Sequence, residues 1–145
     1  MTVHLVKLAV GIEDAEHLAR VQKERLKKSA RGGKKPTLRH ITRHRPKRAD
    51  EIVEGGSIYW VIGGAIAARQ RILGFEKAAK VDGTPAHAIL LDPRLVRTEA
   101  KPFRAFQGWR YLPADKVPRD RGEVNTSTET LPASLRNELK ELGLI

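Results

Sequence analysis

Ser57-Ile58-Tyr59-Trp60-Val61-Ile62-Gly63-Gly64 is the stretch on which the fold turns. Ile58 to Ile62 all favour extended backbone and are apolar at odd and even positions alike, which predicts a central strand buried on both faces. The glycine pair supplies the backbone freedom for a tight reversal. Ala65 to Gly74 then reads as the returning strand, with Ile66, Ala68 and Ile72 on one face and Ala67, Arg69 and Arg71 on the other. Its three alanines would also suit a helix. The alternation and the double-glycine connection decide for the strand.

Downstream, Asp82-Gly83 marks a turn between Phe75 to Val81 and Ala86 to Leu91, a second hairpin closed by Asp92-Pro93. Leu95 to Thr98 is a further short strand, and Phe103 to Leu112 carries most of the remaining aromatic residues. Residues 113–131 read as an irregular polar loop. A last helix is expected from Pro132 to about Leu142, with Thr130 as its cap, Leu135, Leu139 and Leu142 facing inward, and Gly143 as the stop.

Upstream, Val3 to Val10 reads as a buried first strand ended by Gly11. A helix follows to about Ala30, opened by Glu13 and Asp14 at its positive end and striped by Ile12, Ala15, Leu18, Ala19 and Leu26. Arg31 to Pro36 is a basic loop, and Leu38 to His44 a second strand with polar groups on both sides. Pro46 suits the first position of a short helix over Lys47 to Glu54, with Ala49, Ile52 and Val53 inward and Gly55-Gly56 at its end. The 145 residues then form one α+β domain: a small mixed, mostly antiparallel sheet or pseudobarrel with two or three helices.

Composition narrows the chemistry. Cysteine is absent, which removes disulfides, thiolate metal sites and thiol nucleophiles. No basic leader or apolar run of about 20 residues is present, so a cytoplasmic location without membrane contact is expected. The net charge is +11, and residues 20–48 hold thirteen of the cations with Glu24 as their lone acid. Like charges at that density repel, and a polyanion that neutralises them relieves the repulsion. RNA is the expected partner and DNA the alternative. The bland competitor is a solvated face that only aids solubility.

The candidate contacts follow from chemistry. Lys27, Lys28, Arg31, Lys34 and Lys35 extend the helix and loop, while Arg39, Arg43, Arg45, Lys47 and Arg48 would hold a row of phosphate-binding groups along a strand. An edge strand guarded by charge accounts for the same residues without a ligand. Arg69, Gln70 and Arg71, together with Gln107, Trp109 and Arg110, combine arginine with amides and a stacking ring, the scheme of single-strand RNA recognition. Core packing is the competing reading of Trp109 and Tyr111, with Arg110 snorkelling between them. His40 and His44 share a strand face, but about 13 Å at ~3.3 Å per residue separates them, so no metal is expected. No cofactor fingerprint or catalytic motif appears, and Asp50, Glu51 and Glu54 read as solvated helix acids. An RNA or nucleotide hydrolase using a histidine, an arginine and Thr42, or a ribosome-associated or protein-binding factor, are the alternatives to a binding module.

Five strings together resemble a bacterial family, domain of unknown function 1489: His4-Leu5-Val6-Lys7-Leu8, Pro46-Lys47-Arg48-Ala49-Asp50-Glu51, Gly55-Gly56-Ser57-Ile58-Tyr59-Trp60-Val61-Ile62, Arg69-Gln70-Arg71-Ile72 and Ala105-Phe106-Gln107-Gly108-Trp109-Arg110-Tyr111-Leu112. The likeness spans residues 1 to about 112 and implies a stand-alone cytoplasmic protein, without lending catalytic residues. The chain departs from it in the extra basic content around Lys23 to Lys35. At the level of fold, the short helix, Gly-Gly, strong strand and long hairpin are similar to PUA-like, ASCH or EVE pseudobarrels, which bind RNA or modified bases.

Overall fold

The computed structural model describes residues 2–30, 38–104 and 108–124. In chain order the elements are β1 (Val3–Leu8), α1 (Ala15–Ala30), β2 (Leu38–Thr42), α2 (Ala49–Val53), β3 (Ser57–Ile62), β4 (Ala65–Ala79), β5 (Pro85–Pro102), β6 (Trp109–Pro113), a 3-10 turn (Ala114–Lys116) and β7 (Asp120–Glu123). The strands form one open, mostly antiparallel sheet in the order β2-β5-β4-β3-β1-β6, with β7 added to β5. β1 and β3 are its parallel pair.

β3 lies inside the sheet and all six of its residues are buried, as its doubly apolar sequence requires. Gly63 and Gly64 both take positive φ, 62° and 83°, which lets a two-residue turn match the twist of the strands it joins. β4 alternates as its sequence predicts, with Ile66, Ala68, Gln70 and Ile72 buried. The side chains divide into two cores. Val3, Leu5, Ile58, Trp60, Ala68, Ile72, Ile89 and Leu91 pack with Ala15, Leu18 and Ala19 of α1 and Ile52 of α2, so both helices cover one face. The second cluster joins Val6, Tyr59, Val61, Ile66 and Leu112, with Phe103 and Val117 against it, and contains no helical residue.

α1 begins at a side-chain cap. Asp14 Oδ1 accepts from the His17 backbone N–H at 2.7 Å, and His17 Nδ1 accepts from the Glu13 N–H at 3.1 Å. The first satisfies a donor that the first turn leaves unpaired, and the second ties the residue before the cap back to the helix. An ion pair from Glu16 to Arg97 ties the same turn to β5.

The structure differs from the sequence reading at β2, β4, β5 and the segment holding the 3-10 turn and β7. The two hairpins expected after Ile62 share unbroken strands: β4 runs for 15 residues and β5 for 18. Asp92-Pro93 does not end a strand. It lies in a bulge, because Gln70 pairs with Leu95 while Ile72 pairs with Leu91. Proline, lacking an N–H, is tolerated in such an irregularity. The supposed loop after residue 113 contains the 3-10 turn and β7, which pairs with Val96 to Thr98 of β5. β2 stops at Thr42, short of Arg43 and His44. The expected C-terminal helix and the basic loop at 31–36 lie outside the described residues.

The bulge serves a buried amide. Gln70 is fully buried, and its Oε1 accepts from Trp60 Nε1 at 3.0 Å and Gln22 Nε2 at 2.8 Å. Its Nε2 donates to Gln22 Oε1 at 2.7 Å and to the Asp92 carbonyl at 3.1 Å. All of its hydrogen-bonding capacity is used.

Gln70→Leu leaves the Trp60 N–H and the Gln22 amide unsatisfied, so a loss of about 2–4 kcal/mol is expected, read from the urea midpoint. Gly56→Ala is expected to be more damaging. A Cβ there would meet the backbone oxygens of Ile52 at 2.4 Å and Val3 at 2.5 Å, so α2 and β1 would have to part, and a fall in melting temperature larger than that of Gln70→Leu checks this.

Candidate functional site: a cationic helical layer over an enclosed cavity

The helical side of the sheet carries most of the described part of the basic run. Arg20, Lys23, Arg25, Lys27 and Lys28 are exposed on α1. Lys27 approaches Glu24 at 3.7 Å with both side chains more than half exposed, an arrangement worth little in water. The leader to α2, residues 43–48, lies on the same side: the His44 carbonyl accepts from Trp109 Nε1 at 3.2 Å, and the Arg48 N–H donates to the Tyr111 hydroxyl at 3.2 Å.

Within that leader the arginines are largely answered by the protein itself. Arg45 pairs with Asp50 at 3.6 Å and stands over the Phe75 ring, and Arg48 pairs with Glu51 while stacking on Tyr111. Arg39 leaves the strand on the side away from the buried Leu38 and Thr42 and pairs with Glu76 of β4. Among the described residues no ion pair involves Arg43 or Lys47, both exposed. The arginine row expected along one strand is therefore not a row. On α1, Lys23, Arg25 and Lys28 are exposed and have no ion pair among the described residues.

The second set of expected contacts is dispersed. Gln70 is sealed in the core. Trp109 packs edge-to-face on Tyr111 at 5.1 Å and rests against the helix-side core, whereas its neighbour Arg110 is exposed and alternates to the other face. Arg69 is also on the other face, where Asp120 grips it through two hydrogen bonds of 2.6 Å. Arg71 is exposed beside it, and Gln107, like Arg31, Lys34 and Lys35, lies outside the described residues. Arg69, Gln70, Arg71, Trp109 and Arg110 do not line one pocket.

On that non-helical face, His4, Ser57, Tyr59, Arg69, Arg119 and Asp120 surround an open cleft of about 430 Å3. Ser57 Oγ accepts from Arg69 Nη1 at 3.0 Å, and the His4 Nδ1 accepts from the Ser57 backbone N–H at 3.0 Å. The imidazole thus addresses the serine main chain, and its Nδ1 is not a base for the hydroxyl. Burial first, and Arg69 second, push the His4 pKa down, while the Arg69 guanidinium holds Asp120 below the usual carboxylate range.

A more enclosed cavity of about 210 Å3 lies beneath α1. Leu18, Val21, Gln22 and Arg25 of α1 form its roof, and Lys7, Leu38, His40, Trp60 and Leu91 of the sheet its floor. His40 meets Trp60 edge-to-face at 5.1 Å, and its Nε2 is buried without a hydrogen-bond partner among the described residues. The pKa of His40 is pushed down to about 4, chiefly by burial and then by the charges of Lys7 and Arg25. Burial also lowers the Lys7 pKa. No acid lines the cavity. Sequence reasoning examined His40 only as a metal ligand and passed over Lys7. The signal was there, since Lys7 follows Val3 and Leu5 on the alternating face that is otherwise core.

The depressed imidazole has a consequence for stability. The unfolded chain binds a proton near pH 6.5 and the folded chain only near pH 4, so folding weakens as pH falls through that interval. His40 alone accounts for a loss on the order of 3 kcal/mol by pH 4. His40→Phe, which keeps a ring against Trp60, is expected to retain more of its pH 7 stability at pH 4.5 than the parent does, in urea titrations at both pH values.

Among the described residues no helix is long and apolar enough to cross a membrane. No curated protein and no solved structure matches the chain, so the likeness to PUA-type pseudobarrels gains no support from that quarter. One family model does match, over residues 5–145, further toward the C-terminus than the five strings reach, and the chain belongs to that family, described as protein of unknown function DUF1489.

Proposed function

We propose that the protein is a polyanion-binding module, with RNA as its ligand, and that the C-terminal half of α1 is the principal contact surface. The observation that carries this is the helix itself: Arg20, Lys23, Arg25, Lys27 and Lys28 are all exposed within nine residues, with Glu24 as the acid among them. Cations near a helix C-terminus interact favourably with its dipole, but two in the last turn suffice for that. The excess costs stability through self-repulsion, which phosphates remove while releasing their condensed counterions. Arg43 and Lys47 project from the same layer and lengthen the track.

Binding of this kind is set by charge density rather than by base edges, so it tolerates sequence. Stacking on Trp109 does not enter, because that ring is committed to Tyr111 and the core.

About five phosphate contacts on a single strand give a slope of log K against log[salt] of roughly −3.5. Labelled single-stranded RNA titrated at several salt concentrations checks that value, and a flat response or no binding at low salt sinks the proposal. Reversing Lys23, Lys27 and Lys28 to Glu is expected to flatten the slope by about 2 and weaken low-salt binding more than tenfold, with the urea midpoint little changed. Neutralising Arg39, Arg45 and Arg48 to Gln is expected to weaken RNA binding less, since those side chains already have carboxylate partners.

A further inference from the structure

We propose that the cavity beneath α1 is a binding site for a small organic anion, a carboxylate carried on a compact apolar or aromatic body. This goes beyond the polyanion reading, which concerns the outer side of the same helix.

Size fixes the first part. A cavity of about 150 Å3 lined by aliphatic and aromatic side chains holds a benzene molecule, so about 210 Å3 suits one ring with a substituent. Leu18, Val21, Leu38, Leu91 and the Trp60 ring give it apolar walls. At the back, the Trp60 N–H is committed to Gln70, and Gln22 bonds Gln70 through both its amide oxygen and its amide nitrogen.

Charge fixes the second part. Lys7 and Arg25 reach the cavity from β1 and α1, no ion pair among the described residues answers either, and His40 adds a buried Nε2 without a partner. Lys7 is a cation taken partly out of water without a counter-charge, which is costly, and a carboxylate beside it could also meet the exposed Arg25 guanidinium and the His40 ring at the cavity wall. At about 210 Å3 the cavity is too small for a bulky polymer, and a free inorganic anion would leave the apolar walls empty.

The test uses benzoate, its uncharged isostere benzamide, and inorganic phosphate against 15N-labelled full-length protein. Binding is read from the Trp60 indole signal, assigned by comparison with Trp109→Phe, and from the His40 ring protons. Benzoate is expected to shift both signals saturably, with benzamide and phosphate each at least tenfold weaker. Lys7→Met is expected to bring benzoate down to the level of benzamide while leaving RNA affinity unchanged. Should Lys7→Met not fold, Arg25→Gln is expected to weaken benzoate in the same sense. Equal affinity for benzoate and benzamide, equal affinity for benzoate and phosphate, or the absence of a saturable shift would each overturn the assignment. Failure of RNA to bind would leave this result untouched, and the reverse also holds.

Discussion

The Gln70 amide is the constraint on which the rest of the molecule depends. A carboxamide placed in an apolar core is unfavourable unless every donor and acceptor is met, and partial satisfaction is worse than none. Meeting it here requires three separate things of the structure. α1 must present Gln22 downward at one rotational phase, β3 must offer the Trp60 N–H on the helix side, and β5 must turn the Asp92 carbonyl out of its ladder. Sliding α1 by one residue would break the paired amides, so a network of four contacts sets where the helix sits on the sheet. The cavity is a by-product of that placement, because the helix is pinned at Gln22 and the wall opposite carries Lys7 and His40 instead of more leucine.

Placing the helices on one face also sorts the charge. Five arginines of the sheet and of the α2 leader find partners: Arg39 with Glu76, Arg45 with Asp50, Arg48 with Glu51, Arg69 with Asp120 and Arg97 with Glu16. The exposed pairs among them, those of Arg39, Arg45 and Arg48, add little stability, so their importance lies in availability. A guanidinium already shared with a carboxylate gains less from phosphate than a free one. By this measure the cations with carboxylate partners stand mainly on the sheet and the α2 leader, while Lys23, Arg25 and Lys28 of α1 have no ion pair among the described residues, a division that charge density in the sequence does not display.

The parts of the fold that were legible are those whose signal is local. Ser57 to Ile62 could only be a buried strand, Gly63-Gly64 could only be a reversal, and the alternation of Ile66, Ala68 and Ile72 carried through to the structure. What misled was a local signal overruled at a distance. Asp92-Pro93 looks like the end of a strand, yet the chain continues because β5 carries its extra residues as a bulge against β4 and Gln70 takes the freed carbonyl. β7, Asp120 to Glu123, has no apolar pattern and is exposed throughout; backbone pairing to β5 makes it a strand, and no composition rule sees that. The site was hidden for the same reason. Glu76 lies 37 residues from Arg39 and Asp120 lies 51 from Arg69, so neutralisation across the sheet was invisible where the sequence showed only a run of bases.

Arg25 links the two electropositive features. It belongs to the exposed series on α1 and also reaches the cavity, where its charge helps keep His40 neutral. An anion in the cavity would cancel part of the field that α1 projects outward, and a polymer on the outer side would weaken the pull on an anion within. Because coupling between two binding events is reciprocal, whatever one ligand loses in the presence of the other is lost equally in reverse. If both proposed ligands bind, a single helix with cations on its solvent side and at the cavity makes the large anion and the small one competitors rather than cooperating partners.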